Sequence, residues 1–266
     1  MDLKRLCEQV CELVRVTGDF IRNERKTFSI SKIEYKGLND MVSYVDKTAE
    51  QKLVGGLSNL LPESGFITEE NTINKKSQLY NWIIDPLDGT TNFVHGIPCF
   101  CISVALMREE KLVLGVVYEI NLDECFYAWE NGGAFLNDKK IKVSEINELK
   151  KSLLATGFPY SNYDRLEAYM EVFNHFMYHT HGLRRLGSAA ADLVYVACGR
   201  FEGFYEYGLN AWDVAAGALI VTEAGGKVSD FSGERNYVFG KEIIATNKNV
   251  YDEFLGVIRE KFRASR

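Results

Sequence analysis

The N-terminal residues repeat apolar side chains with helical spacing. These apolar positions recur every three or four residues: Leu3, Leu6, Val10, Leu13, Val14 and Phe20. The spacing predicts an amphipathic helix over roughly 3–25, because positions three and four apart lie on one helix face. We expect a polar loop to follow, and then a second helix over 45–61 that ends before Pro62.

From residue 65 to residue 143 the apolar residues form short runs, which are typical of β-strands. The expected strands cover 65–68, 80–85, 101–107, 112–118, 125–129, 134–136 and 141–143. The runs at 101–107 and 112–118 flank a charged turn at 108–111, so we expect them to pair as a hairpin.

Beyond about residue 150 strands and helices alternate. Expected strands cover 152–156, 183–186, 203–207, 227–230 and 243–246, and expected helices cover 164–179, 188–198, 212–224 and a last segment from 249. No linker is long enough to separate two independent units. The sequence therefore predicts a mixed α/β, or α+β, fold with a single domain over 1–266. We expect two tightly packed halves that divide near residue 145.

Charge and composition narrow the function classes. The chain has 46% hydrophobic residues, a formal net charge of −6 and a pI near 5.4. Because it has no basic stripe, it is a poor candidate for nucleic-acid binding, and something other than overall charge must attract an anionic substrate. The six cysteines include no C-x-x-C pair, and no signal peptide or membrane-length apolar run is present. We therefore expect a cytoplasmic protein with reduced thiols and no membrane partner.

The segment WIIDPLDGTTNFVHG at 82–96 carries the first candidate chemistry. An apolar run ends in Asp85 and Asp88, and Pro86 between them favours an extended backbone at Asp85. Two carboxylates with the Leu87 carbonyl between them suit a hard cation such as Mg²⁺, whose charge would relieve their repulsion. The amides and hydroxyls at 89–91 would favour a phosphate, particularly if a helix begins there. The alternative is a simple Asp-Gly hairpin turn.

Four other carboxylates stand at the ends of expected elements. Glu69 and Glu70 end a strand in FITEEN at 66–71, and Asp213 lies in the first turn of a nearly all-apolar helix, WDVAAGALIVTEAGG at 212–226. Asp213 would complement the helix dipole there, and Asp46 by itself fits a helix N-cap. Several acids at element ends are also what a site with more than one metal ion requires.

The two segments at 82–96 and 212–226 together resemble the signatures of the inositol monophosphatase family, a family of Mg²⁺-dependent, lithium-sensitive phosphatases. FITEEN, GLRRLGSAAADL at 182–193 and FYEYGLNAWD at 204–213 extend the match over essentially the whole chain. The resemblance implies a layered αβαβα sandwich, usually a homodimer. It also implies phosphate monoester hydrolysis by direct attack of a metal-activated water.

The resemblance carries site residues onto this chain. The implied metal ligands, for two or three Mg²⁺ ions, are Glu69, Asp85, the Leu87 carbonyl, Asp88 and Asp213. The implied catalytic residues are Glu69, Thr90 and Asp46, of which the last two would orient or deprotonate the attacking water. The implied substrate-binding positions are Leu87, Asp88, Gly89, Thr90, Thr91, Gly187, Ser188, Ala189, Glu206 and Asp213.

The favoured substrate is myo-inositol 1-phosphate or a similar small polyol phosphate. The short chain has no insertions of the kind typical of larger relatives that act on nucleotides and bisphosphates, and Glu206 can accept hydrogen bonds from ring hydroxyls. Histidinol phosphate, fructose 1,6-bisphosphate and 3′-phosphoadenosine 5′-phosphate are alternatives, and Glu206 would equally hold an amine. A non-enzymatic alternative is a regulatory binding protein on the same fold. The chain departs from relatives at Thr68, where a glycine often stands, and at Asn210-Ala211, where some have His-Cys.

Several other side chains allow more than one interpretation. His175, His179 and His181 have a spacing that could bind a transition metal, although a solvated helix end is the simpler interpretation. Arg184 and Arg185 face either the substrate, a partner subunit or an acidic neighbour. The tryptophans at 82, 129 and 212 are expected in or near the core.

Overall fold

The computed structural model describes residues 1–29, 33–37, 40–159 and 163–263. The helices of this part of the chain are α1 (Leu3–Thr27), α2 (Tyr44–Leu60), α3 (Thr90–His95), α4 (Leu166–His179), α5 (Ala189–Ala197), α6 (Ala211–Glu223) and α7 (Tyr251–Arg263). The first seven strands are β1 (Ile33–Gly37), β2 (Asp40–Ser43), β3 (Gly65–Thr68), β4 (Tyr80–Asp88), β5 (Cys101–Arg108), β6 (Lys111–Glu119) and β7 (Glu124–Trp129). The others are β8 (Gly133–Leu136), β9 (Lys139–Ile141), β10 (Leu153–Thr156), β11 (Gly182–Arg184), β12 (Gly203–Tyr207), β13 (Lys227–Ser229) and β14 (Glu242–Thr246).

The strands form two large sheets and one small ribbon. The seven-stranded sheet has the order β3-β4-β5-β6-β7-β8-β9 and is antiparallel except for the parallel pair β3–β4. The five-stranded sheet has the order β11-β10-β12-β14-β13, in which β10 runs parallel to both neighbours. Strands β1 and β2 pair as a separate antiparallel ribbon.

The helices complete five layers. Helices α1 and α2 pack on the outer face of the seven-stranded sheet, α5 and α6 lie between the two sheets, and α4 and α7 cover the far face of the five-stranded sheet. Each interface has its own apolar core, as expected because every sheet face and helix stripe must be covered. The αβαβα sandwich predicted from the resemblance is confirmed.

Two glycines let α6 lie close to its neighbours in the central layer. A Cβ on Gly115 of β6 would come within 2.7 Å of the Ala216 carbonyl oxygen, and a Cβ on Gly217 would come within 2.6 Å of the Leu193 side chain. Helix α6 is buried almost all round, which its nearly continuous apolar sequence predicts. This close packing fixes the first turn of α6, and with it Asp213, near the end of β4.

Most elements and the hairpin β5–β6 follow the sequence prediction, but several boundaries were wrong. The expected polar loop after α1 contains β1 and β2, and the expected strand at 141–143 is β9 at 139–141. Strand β4 continues to Asp88 because the pairing register with β5 shifts between Asp85 and Asp88. That irregularity accommodates Pro86, which cannot donate a ladder hydrogen bond.

The tryptophans lie in or near the core, as expected. Trp82 is fully buried, and Trp129 is half-buried in a stack with Tyr127 and Phe135. All six cysteines are free thiols. No helix among the described residues combines the length and apolarity needed to cross a membrane.

Candidate active site

A cavity of about 480 Å³ opens where the ends of both large sheets meet. Its walls come from the C-terminal ends of β3, β4, β10 and β12 and from the segments that begin α3, α5 and α6. It brings together these predicted site residues: Glu69, Asp85, Leu87, Asp88, Gly89, Thr90, Thr91, Gly187, Ser188, Ala189, Glu206 and Asp213. Asp46 is the one predicted site residue outside the cavity wall. Residues far apart in sequence therefore converge on one space.

Three aspartates form the centre of the cavity. One carboxylate oxygen from each of Asp85, Asp88 and Asp213 lies within 4.8 Å of the other two. Asp85 is 2% exposed and accepts a hydrogen bond from the Leu87 N–H at 2.9 Å. Asp213 accepts one from the Asn210 N–H at 2.6 Å, as the third residue of a capping box. Local backbone bonds thus hold these side chains in place.

Burial and mutual repulsion disfavour the charged forms of the acids in this cluster. Burial, followed by the charges of Asp213 and Glu70, raises the pKa of Glu69 well above its usual value. Burial, followed by the charges of Glu69 and Asp88, does the same to the pKa of Asp85. Burial raises the pKa of Asp88 to about 6, and burial with the charge of Asp88 raises the pKa of Asp213 to about 7. A hard divalent cation would stabilise the charged forms of these grouped carboxylates, whose oxygens are the ligands that such a cation prefers.

Glu50 holds the turn that carries Glu69, a role that the sequence did not reveal. Its buried carboxylate accepts hydrogen bonds from the Glu70 N–H at 2.8 Å, the Thr72 N–H at 2.8 Å and the Thr72 hydroxyl at 2.7 Å. Glu50 lies on α2, so this helix anchors the turn after β3. Only the tertiary pairing of α2 with that turn could identify the residue.

Asp46 reaches the cavity through Thr90. The Thr90 hydroxyl lies 3.0 Å from Oδ1 of Asp46 and 3.0 Å from the Leu87 carbonyl oxygen. The other oxygen of Asp46 accepts bonds from the N–H and hydroxyl of Ser43. Asp46 is therefore the third helical residue of a capping box, and the prediction that it is the N-cap was wrong, because Ser43 occupies that position.

The segment after Asp88 enters a helix and does not form a hairpin turn. Gly89 has a left-handed backbone with φ of 96°, which suits glycine, and α3 begins at Thr90. A Cβ on Gly89 would approach the Cys99 carbonyl oxygen to 3.0 Å. The hairpin alternative for Asp-Gly is therefore wrong, and a helix does begin at this segment.

The cavity wall also contains Glu206, which was predicted to bind substrate, and Asp192, which was not. Glu206, at the end of β12, is 6% exposed, and Asp192 on α5 is 1% exposed. Arg185 lines the cavity and its guanidinium carbon lies 5.5 Å from the Phe158 ring centroid, whereas Arg184 is exposed. Asp192 follows Ser188 by one helical turn, which is the signal that could have identified it. The other lining residues that were not predicted to belong to the site are Asn71, Gly157, Tyr207, Gly208, Leu209, Asn210 and Trp212.

His175, His179 and His181 lie outside the cavity wall. The rings of His175 and His179 stack with centroids 4.4 Å apart, and Nδ1 of His179 lies 2.7 Å from the His175 carbonyl oxygen. Within 1–29, 33–37, 40–159 and 163–263, the three aspartates are the only group with metal-binding geometry. The simpler interpretation, a helix end, therefore holds for this part of the chain.

Comparisons with known proteins find relatives that match most of this chain. The family model described as "Inositol monophosphatase family" matches residues 2–263. An inositol-1-monophosphatase of Mesorhizobium japonicum is 39% identical over 233 residues, covering 87% of this chain and 88% of the relative. A putative Nus factor SuhB of Neisseria meningitidis serogroup B is 43% identical over 228 residues, covering 85% and 87%. Among solved structures, an IMPase of Thermotoga maritima superposes with a TM-score of 0.87 at 36% identity, covering 96% and 97%.

Proposed function

Because the chain belongs to the inositol monophosphatase family, we propose that it is a Mg²⁺-dependent phosphatase whose substrate is myo-inositol 1-phosphate or a similar small polyol phosphate. Phosphatase activity is supported at the level of the family. The observation that carries the proposal is the group of three aspartate oxygens within 4.8 Å of one another, inside a cavity of about 480 Å³. A cavity of this size accommodates a phosphorylated sugar alcohol.

Glu69, Asp85, the Leu87 carbonyl, Asp88 and Asp213 would hold two or three Mg²⁺ ions. When bound, Mg²⁺ supplies the positive charge that neutralises these carboxylates and the phosphate, and it makes water more acidic. The raised pKa values of Asp85, Asp88 and Asp213 support this assignment. They mean that the charged carboxylates are unfavourable without a nearby cation. The donors are all oxygens, which favours Mg²⁺ over softer metals.

Thr90 and Asp46 would position the attacking water. The Thr90 hydroxyl has one proton and two acceptors at 3.0 Å, Asp46 Oδ1 and the Leu87 carbonyl. When it donates to Asp46, the lone pairs of its oxygen are available to a water in the cavity. Asp46 thus sets the direction of the Thr90 proton and acts through Thr90.

The remaining walls would hold the substrate. The backbone at 89–91 lines the cavity beside the aspartates, and its N–H groups would bind the phosphate. Gly187, Ser188 and Ala189 also line the cavity, and Glu206 would accept hydrogen bonds from the hydroxyls of the leaving group.

A second candidate is a role as a binding protein, alongside or instead of catalysis. The observation that favours it is the 43% identity to a relative named putative Nus factor SuhB. Catalysis is favoured because this chain retains every carboxylate of the cluster, which binding alone does not require. A net charge of −6 supports the prediction that the protein does not bind nucleic acid directly.

Lithium inhibition, a cytoplasmic location and a homodimer are further predictions of the resemblance. An exposed apolar face on α4 supports the homodimer, since Leu166, Met170 and Met177 recur on one side and are 36%, 41% and 48% exposed. Sedimentation analysis tests it, and a monomer at micromolar concentration would contradict it.

A substrate panel tests the proposed function. Release of inorganic phosphate is measured with Mg²⁺ and with chelator from inositol 1-phosphate, histidinol phosphate, fructose 1,6-bisphosphate and 3′-phosphoadenosine 5′-phosphate. We expect the highest kcat/KM for inositol 1-phosphate and no release in chelator. If no ester is hydrolysed in Mg²⁺, the proposal is wrong, and the binding role becomes the better account.

A further inference from the structure

The cavity contains a second pair of buried acids outside the group formed by Asp85, Asp88 and Asp213. Glu206 comes from the end of β12 and Asp192 from the first turn of α5. Both line the cavity, and both are less than a tenth exposed. Burial, followed by the charge of Glu206, raises the pKa of Asp192 well above its usual value.

Asp192 has an unsatisfied oxygen. Its Oδ1 is buried and has no hydrogen-bond partner within the described residues. A buried carboxylate oxygen without a donor is costly, so such oxygens normally have a partner. Because Asp192 lines the cavity, a molecule bound there can supply the missing donor.

Gly157 fixes the position of the other acid. A Cβ at position 157 would lie 2.0 Å from the carboxyl carbon and from Oε2 of Glu206, so the glutamate occupies the space that any other side chain would take. The Gly157 carbonyl accepts a hydrogen bond of 2.7 Å from the Tyr169 hydroxyl, which holds this backbone. Glu206 is therefore pressed against a rigid surface and faces the cavity in a defined position.

Arg185 influences which hydrogen-bond donors can bind to Asp192 and Glu206. Its guanidinium borders the same cavity, and its positive charge acts on both Asp192 and Glu206. Arg185 offsets part of the negative charge of the pair, so it weakens the attraction for a cationic ligand group. Neutral hydroxyl groups donate hydrogen bonds whose strength depends less on that net charge.

We propose that Asp192 is a specificity-determining residue that, together with Glu206, accepts hydrogen bonds from two hydroxyl groups of the leaving group. The inference rests on the proposed function and extends it to a residue on α5. An ester without hydroxyl groups leaves the Asp192 oxygen buried and unpaired, so it is selected against. Hydrogen bonds to charged groups discriminate by roughly tenfold to a hundredfold each.

The first test uses the unaltered protein and two matched esters. Glycerol 2-phosphate and propan-2-yl phosphate have the same carbon skeleton, but only the former carries two free hydroxyl groups. We expect kcat/KM in Mg²⁺ to be at least about tenfold higher for glycerol 2-phosphate. Equal values within twofold would overturn the role of Asp192 and leave the proposed function standing. If neither these esters nor inositol 1-phosphate release phosphate, the proposed function itself is wrong and this inference falls with it.

The second test uses Asp192→Asn with Asp230→Asn as its control. Asp230 is also buried, accepts backbone N–H bonds from Ser232 and Glu234, and lies outside the cavity wall. We expect D192N to lower kcat/KM for glycerol 2-phosphate about tenfold and to leave propan-2-yl phosphate within twofold. D230N should keep the preference of the unaltered protein.

Two outcomes of the second test would overturn the inference. An equal fall in kcat/KM for both esters in D192N would mean that Asp192 maintains the shape of the site without contacting the hydroxyl groups, for example as a counter-charge for Arg185. A larger loss for histidinol phosphate than for glycerol 2-phosphate would mean that the acid pair binds an amine. The thermal midpoint of each variant shows whether it is folded, and the ester pair on the unaltered protein decides the matter if D192N is not.

Discussion

The hydroxyl of Ser188 donates a 2.6 Å hydrogen bond to Oδ2 of Asp88. The N–H of Ala190 donates to the same oxygen at 2.7 Å. Asp88 ends a strand of the seven-stranded sheet, and Ser188 is the N-cap of α5 in the layer between the sheets. One carboxylate of the acid cluster thus joins β4 to the start of a helix that packs against both sheets. These donors also stabilise its charged form, against the effect of burial.

We expect Ser188→Ala to affect both stability and metal binding. The substitution removes the bond to Asp88 and the cap bond from the Ala191 N–H, and lost caps cost about 0.5–2 kcal/mol of unfolding free energy. It also raises the pKa of Asp88 above about 6, so tight Mg²⁺ binding should require a higher pH. Denaturant unfolding and Mg²⁺ titration at several pH values measure the two effects.

Ser64→Ala is the matched control for that variant. The Ser64 hydroxyl donates to the Leu61 carbonyl, and Ser64 does not line the cavity. S64A should lose some stability without a change in the pH dependence of Mg²⁺ binding. An S188A protein with the same pH dependence as the unaltered one would show that the bond to Asp88 has no influence on the site.

Asp85→Asn should abolish turnover while the fold remains intact. Asparagine keeps the acceptor for the Leu87 N–H but removes one of the repelling charges. We expect kcat/KM to fall at least about a hundredfold. In chelator, the variant should unfold at the same temperature or a higher one, because the repulsion is smaller. The stabilisation that Mg²⁺ gives the unaltered protein should be lost.

Asp230→Asn serves again for comparison, since it also replaces a buried aspartate that accepts backbone N–H bonds. That variant should keep its activity and its response to Mg²⁺. Activity close to that of the unaltered protein in D85N would remove Asp85 from the proposed site.

The site should make stability depend on pH in opposite ways with and without metal. The pKa values of Asp88 and Asp213 rise from 3.8 to about 6 and about 7 in the folded protein. The metal-free folded state therefore holds more protons than the unfolded state between about pH 4 and pH 7. The stability contributed by these protons is complete at low pH and is lost as the pH rises through the folded pKa values.

Mg²⁺ competes with those protons. We expect the difference in unfolding free energy between Mg²⁺ and chelator to increase from pH 5 to pH 8, because the carboxylates must lose protons before they bind metal. Denaturant titrations in both buffers measure this difference. A difference that stays constant, or shrinks, over that range would contradict the assignment of the aspartates as metal ligands.

Gly115→Ala should disturb the packing that places Asp213. The new methyl group would press on the Ala216 carbonyl oxygen, 2.7 Å away, and such overpacking costs about 1–3 kcal/mol. Gly256→Ala on α7 is the control, because nothing lies within 4 Å of its added Cβ. That change should leave stability equal or increase it by up to about 1 kcal/mol. Thermal unfolding of the two variants tests the contrast, and equal stability would contradict it.

The sequence predicted the elements whose apolar residues recur at a regular spacing. It also predicted the site residues that lie within recognisable motifs. Helix α1, hairpin β5–β6 and the all-apolar α6 follow from local patterns, because their apolar spacing leaves one choice of element. Strands β1 and β2 were missed, because two short polar strands carry little pattern. Pro86 suggested that β4 ends at Asp85, and only the shifted pairing with β5 explains how the strand continues.

The parts of the site that escaped prediction depend on tertiary contacts. Glu50 supports the turn after β3 from another helix, and nothing in its local sequence marks it. Gly157 matters because Glu206, 49 positions later, fills the space beside it. A single sequence shows which acids stand at element ends, but it does not show which backbone and side chains surround them.

The central claim is that the acid cluster binds phosphate only through divalent cations, and calorimetry with inorganic phosphate tests it most directly. Phosphate is titrated into the protein once in Mg²⁺ and once in chelator. Because carboxylates without metal repel phosphate, we expect at least about tenfold tighter binding in Mg²⁺, and phosphate should strengthen Mg²⁺ binding by the same factor. Equal phosphate affinity in the two buffers would contradict the account.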